Sequence, residues 1–245
     1  MAGTVAPEEI AKFDALAAEW WDPYGPMKPL HAMNPCRIDY VADQIAAEFG
    51  RPRAGRRPFE GLTLADVGCG GGLASEPMAR LGCAVTGLDA AAESLEAARA
   101  HAAAGGLEID YRRETAEEAA ARGAAFDVVL ALEIVEHVAS PQSFLDALGR
   151  LVKPGGLLVM STLNRTPEAF AAAIVGAERI LRLLPVGTHD WRKFVAPKEL
   201  EAMTAQAGLR VVDAKGMVPD PLRGGWRLSD RSLRVNYLQT AVKPA

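Results

Sequence analysis

LTLADVGCGGGLASEPMARLGCAVTGLDA, from Leu62 to Ala90, decides how the rest of the chain is read. Leu62 to Val67 is a short apolar run with the length of a buried strand, and Leu73 to Leu81 has helical character. Between them, Asp66-Val-Gly-Cys-Gly-Gly-Gly72 joins a strand to a helix N-terminus. Backbone N–H groups are unpaired there, and glycine lets a ligand come close. A second strand, Ala84 to Leu88, ends at Asp89, which lies 21 residues after Gly68. A carboxylate at that spacing suits hydrogen bonds from the ribose hydroxyls of an adenosine ligand.

Two adenosine ligands compete for such a loop. A nicotinamide dinucleotide wants G-x-G-x-x-G, and Leu73 stands where the third glycine belongs. Asp66 is also awkward beside a pyrophosphate, whereas S-adenosylmethionine has no phosphate and carries an ammonium and a sulfonium. The loop resembles the first motif of class I methyltransferases, acidic residue first and glycines after. A tight turn without a ligand is the plainer alternative. Glycine loop and Asp89 together, in strand-helix-strand context, favour the methyl donor.

Outward from this segment, strands near 62–67, 84–89, 107–112, 126–132 and 156–162 alternate with helices near 72–82, 91–104, 115–122 and 141–152. Alternation of this kind predicts parallel strands with right-handed crossovers. Leu209–Val218 and Leu233–Ala241 read as an antiparallel hairpin at the sheet edge. The expected fold is α/β: a Rossmann-like class I methyltransferase domain over 1–245 with a mostly parallel seven-stranded sheet. Within it, 1–60 holds N-terminal helices and a linker, and 61–165 is the donor-binding core. Residues 166–195 form an amphipathic insertion after strand five, and 196–245 hold a helix and the hairpin. Ile10, Phe13, Leu16 and Trp20 predict a helix over 8–20, and Pro35 is positioned to open a second one through Phe49. The four arginines between Gly50 and Pro58 read as a solvated linker, with anionic lipid as the alternative partner. In the insertion, Phe170, Ile174, Ala177, Leu181 and Leu184 share one helical face, which packs on the core or lies in a bilayer interface.

Composition narrows the class. The chain has 245 residues, 49% apolar and 24% charged, as in an ordinary globular domain. A net charge of −4 argues against nucleic acid as a partner. There is no signal-peptide pattern and no run of about 20 apolar residues, so the cytoplasm is the expected compartment. Cys36, Cys69 and Cys83 form no ligand-like cluster and read as reduced, packed thiols.

Strand four, Phe126 to Leu132, is followed at once by Glu133, Glu136 and His137. Ligands in open parallel sheets bind beyond the carboxyl ends of strands. If the turn is α-helical, these three side chains share one face and could hold Mg²⁺ or Mn²⁺. A bound cation would favour the phenolate of a catechol; alternatively, His137 is the general base. A capping cluster is the plain structural reading. His189-Asp190 is a weaker base pair, and His31 and His101 lack supporting context.

Beyond single motifs, the chain resembles the ubiquinone-biosynthesis O-methyltransferases from about Glu9 to Gln239. EEIAKFDALAAEWWD at 8–22, KPLHAMNPCRIDY at 28–40, DVGCGGG at 66–72 and EIVEHV at 133–138 carry the likeness. It continues in KPGG at 153–156, STLNR at 161–165, VGAERILRLLPVGTHDWRKF at 175–194 and VNYLQT at 235–240. The resemblance implies methyl transfer to a polyprenylated catechol early in the pathway and to demethylubiquinol at its end. It assigns donor contacts to Arg37, Gly68, Asp89 and Leu132, the last in place of a methionine. It also implies Mg²⁺ on Glu133, Glu136 and His137. A peripheral site on the inner face of the cytoplasmic membrane, beside other ubiquinone-synthesis enzymes, follows from the long isoprenoid tail. The rival readings are a methyltransferase for another small phenol and a non-catalytic donor-binding subunit.

Overall fold

The computed structural model describes residues 4–172, 174, 190–222 and 225–245. Helix α1 (Pro7–Ala15) and a 3-10 turn (Ala17–Glu19) lead to the long helix α2 (Lys28–Glu48). Strands β1 (Thr63–Val67), β2 (Ala84–Asp89), β3 (Asp110–Arg113) and β4 (Phe126–Leu132) then alternate with helices α3 (Ser75–Arg80), α4 (Ala92–Ala104) and α5 (Ala116–Ala121). After α6 (Pro141–Leu151) come β5 (Val152–Leu163) and the short helix α7 (Pro167–Ala169). The chain ends in α8 (Pro197–Gln206), β6 (Arg210–Pro219), β7 (Trp226–Ser229) and β8 (Asn236–Val242).

The sheet order is β3-β2-β1-β4-β5-β8-β6-β7, with β1 to β5 parallel and the last three strands antiparallel. Eight strands form it rather than the expected seven, because Trp226–Ser229 folds back on β6 as an extra edge strand. The C-terminal pair is antiparallel as expected, but β8 lies between β5 and β6 and so is internal. Between β1 and β4 the strand order reverses, which opens a crevice at their carboxyl ends.

Helices cover both faces, so the central strands read as unbroken apolar runs. On β4, Val129 and Ala131 pack with Phe144 and Leu148 of α6, while Val128 and Leu130 pack with Tyr40, Val41 and Ile45 of α2. Burying each such aliphatic side chain contributes about 1.5–3 kcal/mol.

The N-terminal helices depart from their expected bounds. Helix α2 opens at Lys28-Pro29, where a missing N–H costs nothing, and Pro35 falls inside it. An interior proline costs about 3 kcal/mol. The helix persists because Met33, Cys36, Tyr40, Val41 and Ile45 are buried, while Pro35 itself is exposed. α5 starts where Thr115 and Glu118 form a capping box. Most of the apolar stripe expected at 170–184, with Ala177, Leu181 and Leu184, lies outside the described residues, as does His189.

Candidate functional site

The glycine loop sits at the carboxyl end of β1, with Gly68, Gly70 and Gly72 at φ of +70°, +50° and +87°. Left-handed backbone favours glycine at all three. Close approach is demanded first by the protein itself. A Cβ on Gly70 or Gly71 would lie 2.3 or 2.4 Å from the Trp20 ring, and one on Gly68 would strike Ile134. The Trp20 indole therefore rests on the loop, its Nε1 donating to Ser94 Oγ at 3.0 Å. Trp21 Nε1 donates to the Gly71 carbonyl at 2.9 Å. The ring of Trp21 stacks on His101 at 3.4 Å, and His101 Nδ1 pairs with Glu76 at 2.6 Å. His31 Nε2 meets the Trp20 carbonyl at 2.9 Å. Two histidines without context in the sequence thus help hold the N-terminal segment over the loop.

A cleft of about 1050 Å³, its open mouth included, runs between this cover and the sheet. Arg37, Gly68, Asp89, Leu132, Glu133 and His137 all line it. Asp89 accepts from the Gly70 and Ala91 amides, both at 2.8 Å. Burial raises its pKa above the usual carboxylate range, and these amide bonds oppose the rise. Asp66 is 2% exposed and pushed up to about 6 by burial, while Ser75 Oγ donates to it at 2.5 Å. Arg37 is 3% exposed. Its Nη2 donates to Asn34 Oδ1 at 3.0 Å, while its buried Nε meets no acceptor among the described residues. Burial lowers its pKa, and the charges of Glu133 and Asp66 offset part of that.

At the carboxyl end of β4 the chain turns through Glu133, whose φ of +55° is unusual for a residue with a side chain. Ser161 Oγ donates to Glu133 Oε1 at 2.6 Å, and Asn236 Nδ2 donates to Oε2 at 2.9 Å. A 3-10 turn follows over Val135–His137. Glu136 is 4% exposed, with Thr162 Oγ1 donating to it at 2.7 Å. Burial pushes its carboxyl up to about 7. His137 Nδ1 meets Glu9 Oε2 of α1 at 3.2 Å, and Phe13 sets its ring edge-on at 5.5 Å. Burial disfavours the imidazolium, but the Glu9 hydrogen bond and the Glu136 charge outweigh it and raise the pKa. Glu9 is held down at about 2, first by its hydrogen bond with His137.

Glu133, Glu136 and His137 do not converge. The left-handed residue and tight turn replace the α-helical turn that would have put them on one face. Each side chain is taken by a different partner: Ser161 and Asn236, Thr162, and Glu9. Among the described residues no group of three His, Cys, Asp or Glu side chains is placed to hold a metal ion, so this arrangement does not fit the Mg²⁺ site. Asp190 accepts from the Arg192 backbone and guanidinium at 3.0–3.1 Å, which makes it a turn residue.

Several residues in the site carried no sequence signal. Glu9 is 128 positions from His137, and Asn34, Ser161 and Thr162 have no spacing of their own to announce them. Trp20 is marked in the sequence only by its helical spacing with Ile10, Phe13 and Leu16, and Trp21 only by its place in the stretch EEIAKFDALAAEWWD.

Comparison with known proteins extends this picture. A family model described as a methyltransferase domain matches residues 65–160. The ubiquinone biosynthesis O-methyltransferase of Cereibacter sphaeroides is 59% identical over 241 residues, covering 98% of each chain. That of Dinoroseobacter shibae is 58% identical over 242 residues, covering 99% of this chain and 98% of its own. Among solved structures, the magnesium protoporphyrin IX methyltransferase of Synechocystis with bound S-adenosylmethionine superimposes with a TM-score of 0.64. It is 16% identical, with 99% of this chain and all of that one covered. A possible histamine N-methyltransferase from Thermotoga maritima gives 0.63 at 16% identity, covering 96% of this chain and 99% of its own. At such identities the structural likeness speaks for the fold alone.

Proposed function

The chain belongs to the ubiquinone biosynthesis O-methyltransferase family, and from that premise we propose how its cleft methylates a catechol. It is an S-adenosylmethionine-dependent O-methyltransferase acting on a polyprenylated quinone-type substrate. The proposed acceptors are the catechol hydroxyls of 2-polyprenyl-6-hydroxyphenol and of 3-demethylubiquinol.

The observation that carries the reading is Arg37: a buried guanidinium with an unpartnered Nε, in a cleft whose other charged groups include Asp66, Asp89 and Glu133. A ligand complementary to it needs one carboxylate for Arg37 and positive charge for the acids. The amino-acid part and sulfonium of the donor have both. Asp89 already accepts two backbone amides, yet a carboxylate has about four lone-pair sites, leaving room for ribose hydroxyls. Leu132 offers an apolar wall for the adenine.

Bound there, the donor supplies a methyl carbon on a positively charged sulfur; the C–S bond breaks as the phenolic oxygen bonds to carbon, leaving a neutral sulfide. A phenol with a pKa near ~10 must lose its proton for this at neutral pH. His137 is the residue proposed to accept it, with Glu9 fixing the ring through Nδ1 and stabilising the imidazolium that forms. The cover of α1, Trp20 and Trp21 excludes water from the reacting atoms. No step is routed through Mg²⁺, because Glu133, Glu136 and His137 are not grouped to hold a metal ion among the described residues.

Labelled donor with a prenylated catechol tests the assignment. Turnover is expected on the prenylated acceptor and is expected to survive chelation. Turnover on water-soluble phenols alone overturns the substrate, and loss of activity restored by Mg²⁺ overturns the histidine route. Donor binding without turnover on any acceptor would favour the non-catalytic reading.

Membrane contact is a further part of the proposal. No helix among the described residues is long and apolar enough to cross a bilayer. Phe170 and Trp191, near the two ends of the insertion, are 43% and 36% exposed and meet edge to face, which supports interfacial docking there. Co-sedimentation with anionic liposomes should fall when both become serine; unchanged co-sedimentation removes this part. Contact with other ubiquinone-synthesis enzymes belongs to the same proposal.

A further inference from the structure

His31, Asn34 and Arg37 stand on α2, each three residues from the next: Arg37 lines the donor cleft, and the other two bond the segments around it. His31 meets the Trp20 carbonyl at 2.9 Å. Asn34 Nδ2 donates to the Leu73 carbonyl at 2.7 Å, and Asn34 Oδ1 accepts from Arg37 Nη2 at 3.0 Å. Leu73 closes the glycine loop, so one planar amide links that loop to the guanidinium. Only Asn or Gln presents a donor and an acceptor in this fixed geometry.

Arginine is a flexible side chain, with about 2 kcal/mol of rotamer entropy. In this cleft it feels the carboxylates of Asp66 and Glu133, and among the described residues it is in ion-pair contact with neither. A guanidinium that collapsed onto either acid would be lost to a ligand's carboxylate. The Asn34 amide occupies Nη2 with a neutral acceptor, and its second bond fixes it to the loop that cradles the ligand. We propose that Asn34 is a positioning residue for the methyl donor: it holds Arg37 away from the neighbouring acids and in register with the glycine loop, so that the guanidinium meets the donor's amino-acid carboxylate. The proposal rests on the reading of Arg37 given above.

The test compares two ligands that differ in the part Arg37 would recognise. S-adenosylhomocysteine carries the amino-acid carboxylate, and methylthioadenosine lacks it. Calorimetry with full-length Asn34→Leu should show S-adenosylhomocysteine weakened by about tenfold, the scale of one charge-assisted hydrogen bond. Methylthioadenosine affinity and kcat at saturating donor should stay within about twofold, because a tenfold loss is already the weight of that single contact. Equal weakening of both ligands, or of neither, overturns the proposal. Should Asn34→Leu unfold, Asn34→Asp keeps the shape and sets a competing carboxylate against Arg37. It too should weaken only S-adenosylhomocysteine, and an unchanged affinity for it overturns the inference. Arg37→Met separates the two layers of argument. If it leaves the preference for S-adenosylhomocysteine intact, the reading of Arg37 itself fails; if it abolishes that preference while both Asn34 variants keep it, only the role of Asn34 fails.

Discussion

Asp89 and the two glutamates beside β4 are held in different ways. Beside β1 and β2, Asp89 is fixed by backbone amides of Gly70 and Ala91, groups that any sequence with this turn presents. Beside β4, Glu133 and Glu136 are fixed by side chains, Ser161 and Thr162 of β5 and Asn236 of β8. The first kind of support follows from local backbone geometry. The second exists only once strands distant in sequence have paired, so it depends on residue identity at each position.

The comparison can be broken most sharply at Asp89. Asp89→Ala should weaken donor binding by about 1–3 kcal/mol through lost ribose hydrogen bonds, and it also leaves two amides without their acceptor. Calorimetry that returns the wild-type affinity would mean that Asp89 serves the loop alone. At Gly70 the expected loss is one of stability: Gly70→Ala drives a Cβ against Trp20 at a φ of +50°, for about 1–3 kcal/mol in denaturant unfolding. At the Glu9–His137 pair, Glu9→Gln should lower kcat by about tenfold while donor affinity is unchanged, since an orienting partner acts through the proposed base. Equal losses in both would place Glu9 in the cover rather than in proton transfer.

The smallest effect is in pH. Glu136 is raised from 4.5 to about 7, so the folded state favours its neutral form. Its contribution to stability is complete below pH 4.5 and is lost as pH rises through about 7. Glu136→Gln, which stays neutral, should therefore gain in Tm relative to wild type as pH climbs across that window. A difference that is flat with pH would deny the buried carboxyl its shift. Glu9 runs the other way, contributing above pH 4.5 and losing that contribution as pH falls toward about 2.

The same contrast explains what was legible in the sequence. Strand-turn-helix spacing located the glycine loop and Asp89 because both follow from local periodicity. Arg37 and Leu132 came only from the family likeness, since neither has a local pattern that marks it. The shared face of E-x-x-E-H depended on an α-helical turn after β4, and that condition is not met: Glu133 adopts a left-handed backbone and the turn tightens to 3-10. Pro35 looked like a helix start because proline is favoured there, yet burial of the opposite face carries α2 through it. The partnership of Glu9 with His137 joins residues 128 positions apart, and nothing in the composition of either segment announces it.

One consequence concerns how the molecule is made. Strand β8, every residue of it buried, fills the gap between β5 and β6. The 210–229 hairpin reaches the parallel strands only through β8, since β6 pairs with β7 and β8 and it is β8 that pairs with β5. β8 is therefore the keystone of the sheet, and a chain lacking Asn236–Val242 would leave that hairpin unjoined.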